Sequence, residues 1–187
     1  MQPLSLVRTA DVAAQPWRNG GGITRELLAR PAGDRWRVRV SVADVASDGP
    51  FSTFAGAERW FAVLEGAGVV LTVDGVAHRC TRDDDALAFD GAAHTTCHLV
   101  GGPTRDLNLM LRDARGALRR VVADEEWQPR SSECGLYATL DGGVRVAGAS
   151  SPEAIPAHAL RWWTEAPEAI AFDGEGWWLA ADTVHAS

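Results

Sequence analysis

The sequence predicts an all-β protein, a barrel or sandwich followed by a smaller second β unit. Three observations carry that reading. Apolar and polar residues alternate with a period of two through much of the chain, most clearly over residues 35–45. Turn signals recur at short spacing, among them Asp48-Gly49-Pro50, Asp74-Gly75, Asp90-Gly91 and Asp141-Gly142-Gly143. Helix signals gather in one stretch only, residues 151–163, with Ser151 as cap and Pro152 at the first helical position.

In chain order, residues 4–8 alternate as an edge strand, and residues 11–15 link it to a glycine run. Residues 24–29 alternate again, with Ile23, Arg25 and Leu27 opposed to Thr24, Glu26 and Leu28. In the next strand Trp36, Val38, Val40 and Val42 share one face. Arg35, Arg37, Arg39, Ser41 and Ala43 share the other, which is either a wet surface or a basic lining. Strands follow at residues 60–64, 69–73 and 76–80, the last two joined by the Asp74-Gly75 hairpin turn. Residues 83–85 read as an acidic, solvated turn. Further strands fall at residues 86–89, 95–100 and 106–112, and then at 136–140, 144–147, 169–172 and 177–181. The two sets of hairpins fit a first barrel and a smaller, degenerate second one.

Composition narrows the function classes. A chain of 187 residues is one domain, or one domain with an extension, and its net charge of −7 disfavours non-specific nucleic-acid binding. All 18 basic residues are arginine. Schiff-base chemistry on its side chains is therefore excluded, and anions must be held by guanidinium or backbone N–H. Three cysteines, none in CxxC spacing, suit a reducing compartment. The chain begins without a basic start and apolar run, and no apolar run approaches 18 residues, so the expectation is a cytoplasmic protein outside the membrane.

The most unusual stretch is PWRNGGGITREL, residues 16–27. Three consecutive glycines are costly to order. They imply left-handed backbone, close approach of another segment, or backbone N–H groups aimed at a ligand. The GxxxxGK[ST] and GxGxxG spacings are absent, so a nucleotide loop is not the reading. On residues 106–112, Leu107, Leu109 and Leu111 form one face, and Asp106, Asn108, Met110 and Arg112 the other. If the polar face turns inward, Asp106 and Asn108 need partners. In a purely structural role Asn108 ties down the glycine loop and Asp106 pairs with an arginine; in a ligand-binding role both face a pocket. Glu26 either pairs with Arg39 or Arg59, or acts as an acceptor or general base beside an arginine clamp. His78, Cys80, His94, Cys97 and His98 form a rival zinc set, but their spacing matches no zinc motif.

PWRNGGGITREL, residues 37–66 (RVRVSVADVASDGPFSTFAGAERWFAVLEG) and DLNLM at residues 106–110 closely resemble, in order, the signature of the HutD/Ves family. The resemblance covers residues 1–120 well. Residues 56–75 also resemble the first cupin motif, and residues 86–94 the second, with Phe89, Gly91 and His94 at the places of its Pro, Gly and His. Metal-binding cupins carry HxHxxxE in the first motif; those places fall on Thr53, Ala55 and Arg59 here, which leaves His94 alone. One imidazole does not hold iron or manganese against water.

The resemblance implies a cupin-like, RmlC-type jelly-roll barrel over residues 1–120 and a smaller second β unit over residues 121–187. It implies a metal-free, cofactor-free binder of a small carboxylate, a sensor or regulator in histidine utilisation, with N-formylglutamate as the natural candidate. The expected ligand-binding residues are Asn19, Gly20, Gly21, Gly22, Thr24, Glu26, Arg39, Arg59 and Asn108. The alternative is a metal-independent isomerase or hydrolase of a small acid, with Glu26 or His94 as base. A third reading makes Trp162-Trp163 and Trp177-Trp178 exposed anchors for a protein partner. Neither nucleic acid nor membrane is an expected partner, and a homodimer through a sheet face is compatible with the pattern.

Overall fold

A computed structural model describes residues 6–183. From the N-terminus the strands are β1 (Leu6–Arg8), β2 (Gln15–Pro16), β3 (Gly22–Arg30), β4 (Val38–Val45), β5 (Gly49–Pro50), β6 (Ala57–Glu65), β7 (Val69–Val73), β8 (Val76–Cys80) and β9 (Leu87–Asp90). They continue as β10 (Thr95–Leu99), β11 (Thr104–Arg112), β12 (Ala114–Arg120), β13 (Glu133–Ala138), β14 (Gly142–Val146), β15 (Glu153–Ile155), β16 (Ala159–Trp163), β17 (Ile170–Phe172) and β18 (Gly176–Thr183). The helix among the described residues is a single 3-10 turn, Thr9–Asp11, and no helix there is long and apolar enough to cross a membrane.

The chain divides into two compact units. One is Ala13–Asp113; the other joins the segment up to Val12 to the chain from Ala114 on. This differs from the division expected at residue 120. β1 pairs with β16, Leu6 opposite Arg161, and β12 pairs with β18 along its whole length, so both belong with the C-terminal strands. Local alternation marks a strand without naming its partner. Leu4 and Ser5, the start of the expected first strand, lie outside the described residues.

The Ala13–Asp113 unit has two antiparallel sheets. One runs β2-β3-β4-β11-β6-β9, the other β5-β10-β7-β8. In the larger sheet, Val38, Val40 and Val42 on β4 and Leu107, Leu109 and Leu111 on β11 form a fully buried apolar layer on one face. Register sets the opposite face. Ser41 lies opposite Asn108, which lies opposite Phe61; Arg39 lies opposite Met110, which lies opposite Arg59. Two guanidiniums, an amide and a hydroxyl thus share one patch. The strand expected over residues 35–45 starts three residues later, at Val38: Trp36 precedes it, and its buried ring packs with Ala57 and Met110 while Arg112 lies 4.2 Å over it. Deeper in, Phe51, Phe61, Val63, Val69, Leu71, Cys80 and Cys97 form the apolar core.

The other unit pairs a sheet β1-β16-β13-β18-β12 with a three-stranded sheet β15-β14-β17. Its core is built on Cys134, Leu136, Val144, Ile155, Trp163, Phe172 and Trp178. The helix expected over residues 151–163 is absent. That stretch forms β15 and β16 instead, with His158 at φ 55° in the turn between them. Cross-strand partners for Ile155 and Ala159 override a capping signal that had no amphipathic helix behind it. Trp162, Trp163, Trp177 and Trp178 are all buried, which removes the exposed-anchor reading. Trp162 donates its indole N–H to Glu133 at 2.9 Å, and Trp178 stacks on Trp127 at 4.9 Å.

Candidate functional site

A cavity of about 500 Å³ opens inside the Ala13–Asp113 unit. Its floor is the polar patch of the larger sheet: Thr24, Arg39, Ser41, Arg59, Asn108 and Met110. One wall is β2 with the glycine loop, through Gln15, Trp17, Arg18 and Asn19; the other is the segment carrying Phe51, Ser52 and Phe54. The lining contains three arginines and no aspartate or glutamate, in a chain whose net charge is −7.

The glycine run shapes that wall and offers little to a ligand. Gly20 sits at φ +73° and donates to Trp17 O at 3.0 Å; Gly21 N–H is taken by Asn19 Oδ1 at 3.0 Å. A side chain at Gly22 would put its Cβ 2.5 Å from Asp44 O and 3.3 Å from the Trp17 ring. The glycines thus let Trp17 fold back over the strand. Its indole N–H donates to Thr24 Oγ1 at 2.8 Å, and its ring meets Phe51 edge-on at 5.8 Å.

Arg59 is the central group. It is 7% exposed, with Phe51 and Phe89 rings at 4.7 and 5.5 Å from its guanidinium carbon. Its Nε and one terminal nitrogen both donate to Asn108 Oδ1, at 2.9 and 2.7 Å. No carboxylate among the described residues pairs with it. Burial pushes the guanidinium down to about 10; Arg39 pushes the same way, and Asp106 and Cys97 oppose it. With its carbonyl committed to Arg59, Asn108 has only its amide N–H groups left for the cavity. Arg39 donates Nε to Glu26 Oε2 at 2.6 Å, which leaves its terminal nitrogens without a carboxylate.

The outcome for the expected site residues is mixed. Asn19, Thr24, Arg39, Arg59 and Asn108 line the cavity together. Gly20, Gly21 and Gly22 do not line it, because they act through Trp17. Glu26 does not line it either and serves as the counter-ion of Arg39. His94 is exposed, in the turn before β10; its backbone N–H donates to Asp74 Oδ1 and its carbonyl accepts from Asp74 N–H. Alternation on β10 turns Thr95 and Cys97 inward and leaves His94 outside. The structural role expected of Asn108 and Asp106 is also corrected: Asn19 ties the loop, Asn108 holds Arg59, and Asp106 accepts from Thr104 Oγ1 at 3.0 Å. The residues missed are Trp17, Arg18, Ser41, Phe51, Ser52 and Phe54. Ser41 was legible as the inward neighbour of Arg39; the aromatics follow turns, where no periodicity marks them.

A cupin metal does not fit here. The lining of guanidiniums and amides, without imidazole, thiol or carboxylate, repels a cation. No cluster of three or more His, Cys, Asp or Glu residues able to hold a metal occurs among the described residues. The proposed zinc set is split. Cys80 and Cys97 are buried, their thiols pushed up by burial to about 11 and 12, while exposed His98 bonds Asp48 at 2.5 Å.

The HutD family profile matches residues 9–180, and the chain belongs to the HutD family. An uncharacterised 21.2 kDa protein of Pseudomonas putida, named for its place in the hutC 3′ region, is 43% identical over 156 residues, 82% of this chain and 78% of that protein. The structure of HutD from Pseudomonas fluorescens SBW25, solved in a formate condition, superposes with a TM-score of 0.85 at 29% identity, over 97% of this chain and all of that one. Oxalate decarboxylase of Bacillus subtilis shares the fold, with a TM-score of 0.68 at 8% identity, over all of this chain and 79% of that one. The fold is that of the cupins.

Proposed function

We propose that this HutD-family chain binds a small acidic metabolite in the cavity of its Ala13–Asp113 unit, without metal, and acts as a cytoplasmic sensor or regulator in histidine utilisation. Arg59 carries the proposal. A guanidinium withdrawn from water with no carboxylate partner is costly, and an anion in the cavity offsets that cost. Charge counting sharpens the class. Three lining guanidiniums less the Glu26 carboxylate leave a formal charge of +2. A dianion such as N-formylglutamate matches that charge, and its formamide matches the Asn108 and Ser41 donors. Trp17, Phe51 and Phe54 supply an apolar wall for its methylenes. The pathway link rests on the hutC-region name of the relative.

Against the enzyme alternative, Glu26 is bonded to Arg39 and His94 is exposed, away from the cavity lining. The test is calorimetric titration with N-formylglutamate, urocanate and glutamate, followed by analysis of the recovered ligand. Saturable binding with the ligand unchanged is expected. Turnover would replace the sensor with an enzyme. Failure of all three acids to bind would remove the pathway assignment.

A further inference from the structure

Asp106 is a carboxyl group buried behind the cavity floor. It sits two residues before Asn108 on β11, so both side chains emerge on the inner face of the sheet. It is 0% exposed. Thr104 donates to Oδ2, and Oδ1 has no hydrogen-bond partner. The charged and titratable groups that act on it come from four other strands: Arg59 on β6, Asp44 on β4, Cys80 on β8 and Cys97 on β10. The thiols stay neutral at physiological pH. Asp44 is ionised and held by Arg25 and Arg105, so it repels. Arg59 is thus the cation Asp106 feels most, and its hydrogen bonds go to Asn108.

The result is a buried cation and a buried carboxyl that interact through space without a bond. An anion entering the cavity joins this pair as a third charge. It is attracted by Arg59 and repelled by an ionised Asp106. Protonation of Asp106 removes the repulsion.

We propose that Asp106 couples anion binding to proton uptake: an anion docking on Arg59 drives a proton from solution onto the Asp106 carboxylate, so that affinity rises as pH falls across neutrality. This deepens the anion-site reading and rests on it. Burial raises Asp106 to about 7, against the Thr104 hydrogen bond and Arg59, with Asp44 adding to the rise. The empty site is therefore part-protonated near neutrality, where a second negative charge has most effect. If a bound anion raises proton affinity about 100-fold, the usual scale for like charges sharing a buried site, affinity falls about tenfold between pH 6 and pH 8. The carboxylates of the probes do not titrate in that window, and no histidine lines the cavity.

The test is calorimetry of the full chain at pH 7 in bis-Tris and in Tris, two buffers without an anionic form whose ionisation enthalpies differ. Sodium formate and N-formylglutamate are the probe anions, and each is repeated with Asp106→Asn. Expected are buffer-dependent enthalpies showing net proton uptake in the native protein, abolished in Asp106→Asn. Binding with no buffer dependence in the native protein overturns the coupling and leaves the anion site standing. Retained uptake in folded Asp106→Asn overturns the assignment to Asp106. Absence of binding by both probes overturns the anion site and the coupling with it. If Asp106→Asn does not fold, carbon-13 NMR of the native carboxyls decides: one buried carboxyl titrating near neutrality must move upward when formate is added, and a stationary one refutes the proposal.

Discussion

Arg59→Met separates stability from binding more sharply than any other substitution. Methionine keeps the unbranched stem between Phe51 and Phe89 and removes the charge. Burial holds the guanidinium down to about 10 against its usual value near 12.5. At about 1.4 kcal/mol per tenfold change in proton affinity, relieving that charge returns roughly 3 kcal/mol at pH 7. Two losses oppose it. Asn108 Oδ1 becomes a buried acceptor without a donor, at about 1–3 kcal/mol, and two cation–π contacts disappear, at roughly 1 kcal/mol each. The terms nearly cancel, so urea unfolding should place the variant within about 2 kcal/mol of the native protein. Binding behaves differently. Losing the buried cation from a charge pair costs about 2–5 kcal/mol, a weakening of roughly 30-fold to several thousand-fold for N-formylglutamate by calorimetry. Retained affinity in a folded Arg59→Met would refute the anion site. A loss of more than about 4 kcal/mol of stability would show that Arg59 is a structural strut and that the charge accounting is wrong.

Other substitutions probe the remaining parts. Asp106 binds its proton more tightly in the folded state than in the unfolded one, so its contribution is full below about pH 4 and is lost as pH rises through about 7. Asp106→Asn should therefore remove on the order of 3 kcal/mol from the fall in stability between pH 5 and pH 8, read from urea midpoints at both. Gly22→Ala drives a methyl into Asp44 O and the Trp17 ring, and should cost about 1–3 kcal/mol in thermal unfolding and weaken ligand binding as Trp17 is displaced. Thr24→Val leaves the Trp17 indole N–H without its acceptor; a loss of about 1 kcal/mol and a shift in tryptophan fluorescence are expected. His94→Ala should leave affinity unchanged and stability within about 0.5 kcal/mol, and a measurable loss of affinity would return His94 to the site.

How much was legible depends on which physical rule wrote each feature. The period-two alternation of β4 and β11 is the direct imprint of a sheet with one apolar face. It therefore puts Arg39 and Ser41 on one face of their strand, and Asn108 on the polar face of its own, before any pairing is known. The pairing itself was not legible. Arg59 meets Asn108 only because β6 lies beside β11 in one particular register, and no local pattern encodes that register. For the same reason nothing local to residues 4–8 or 114–120 tells that they pair with β16 and β18. Residues 151–163 misled because a Ser-Pro capping signal costs nothing to satisfy in a turn, while Ile155 and Ala159 gain their burial only as strand residues. The glycine run is unusual on sequence alone, but its purpose, room for the Trp17 ring, depends on where Asp44 O lies across the sheet.

The two units also explain why the site belongs to one of them. On the inner face of the C-terminal unit the positions beside the sheet axis are Cys134, Leu136, Ala138 and Trp178, all buried and apolar. Such a face closes on itself and needs no ligand. A concavity there, near Arg115, Arg119 and Arg130, is bordered by Glu126 and Asp182, and these residues are exposed, so water already screens their charges. The inner face of the Ala13–Asp113 unit instead carries Arg39, Ser41, Asn108 and Arg59. Polar groups there give less apolar burial than a hydrocarbon core would, and Arg59 adds a desolvated charge. Against the apolar interior of the other unit, a buried guanidinium without a carboxylate is the feature whose cost the proposed anion would offset.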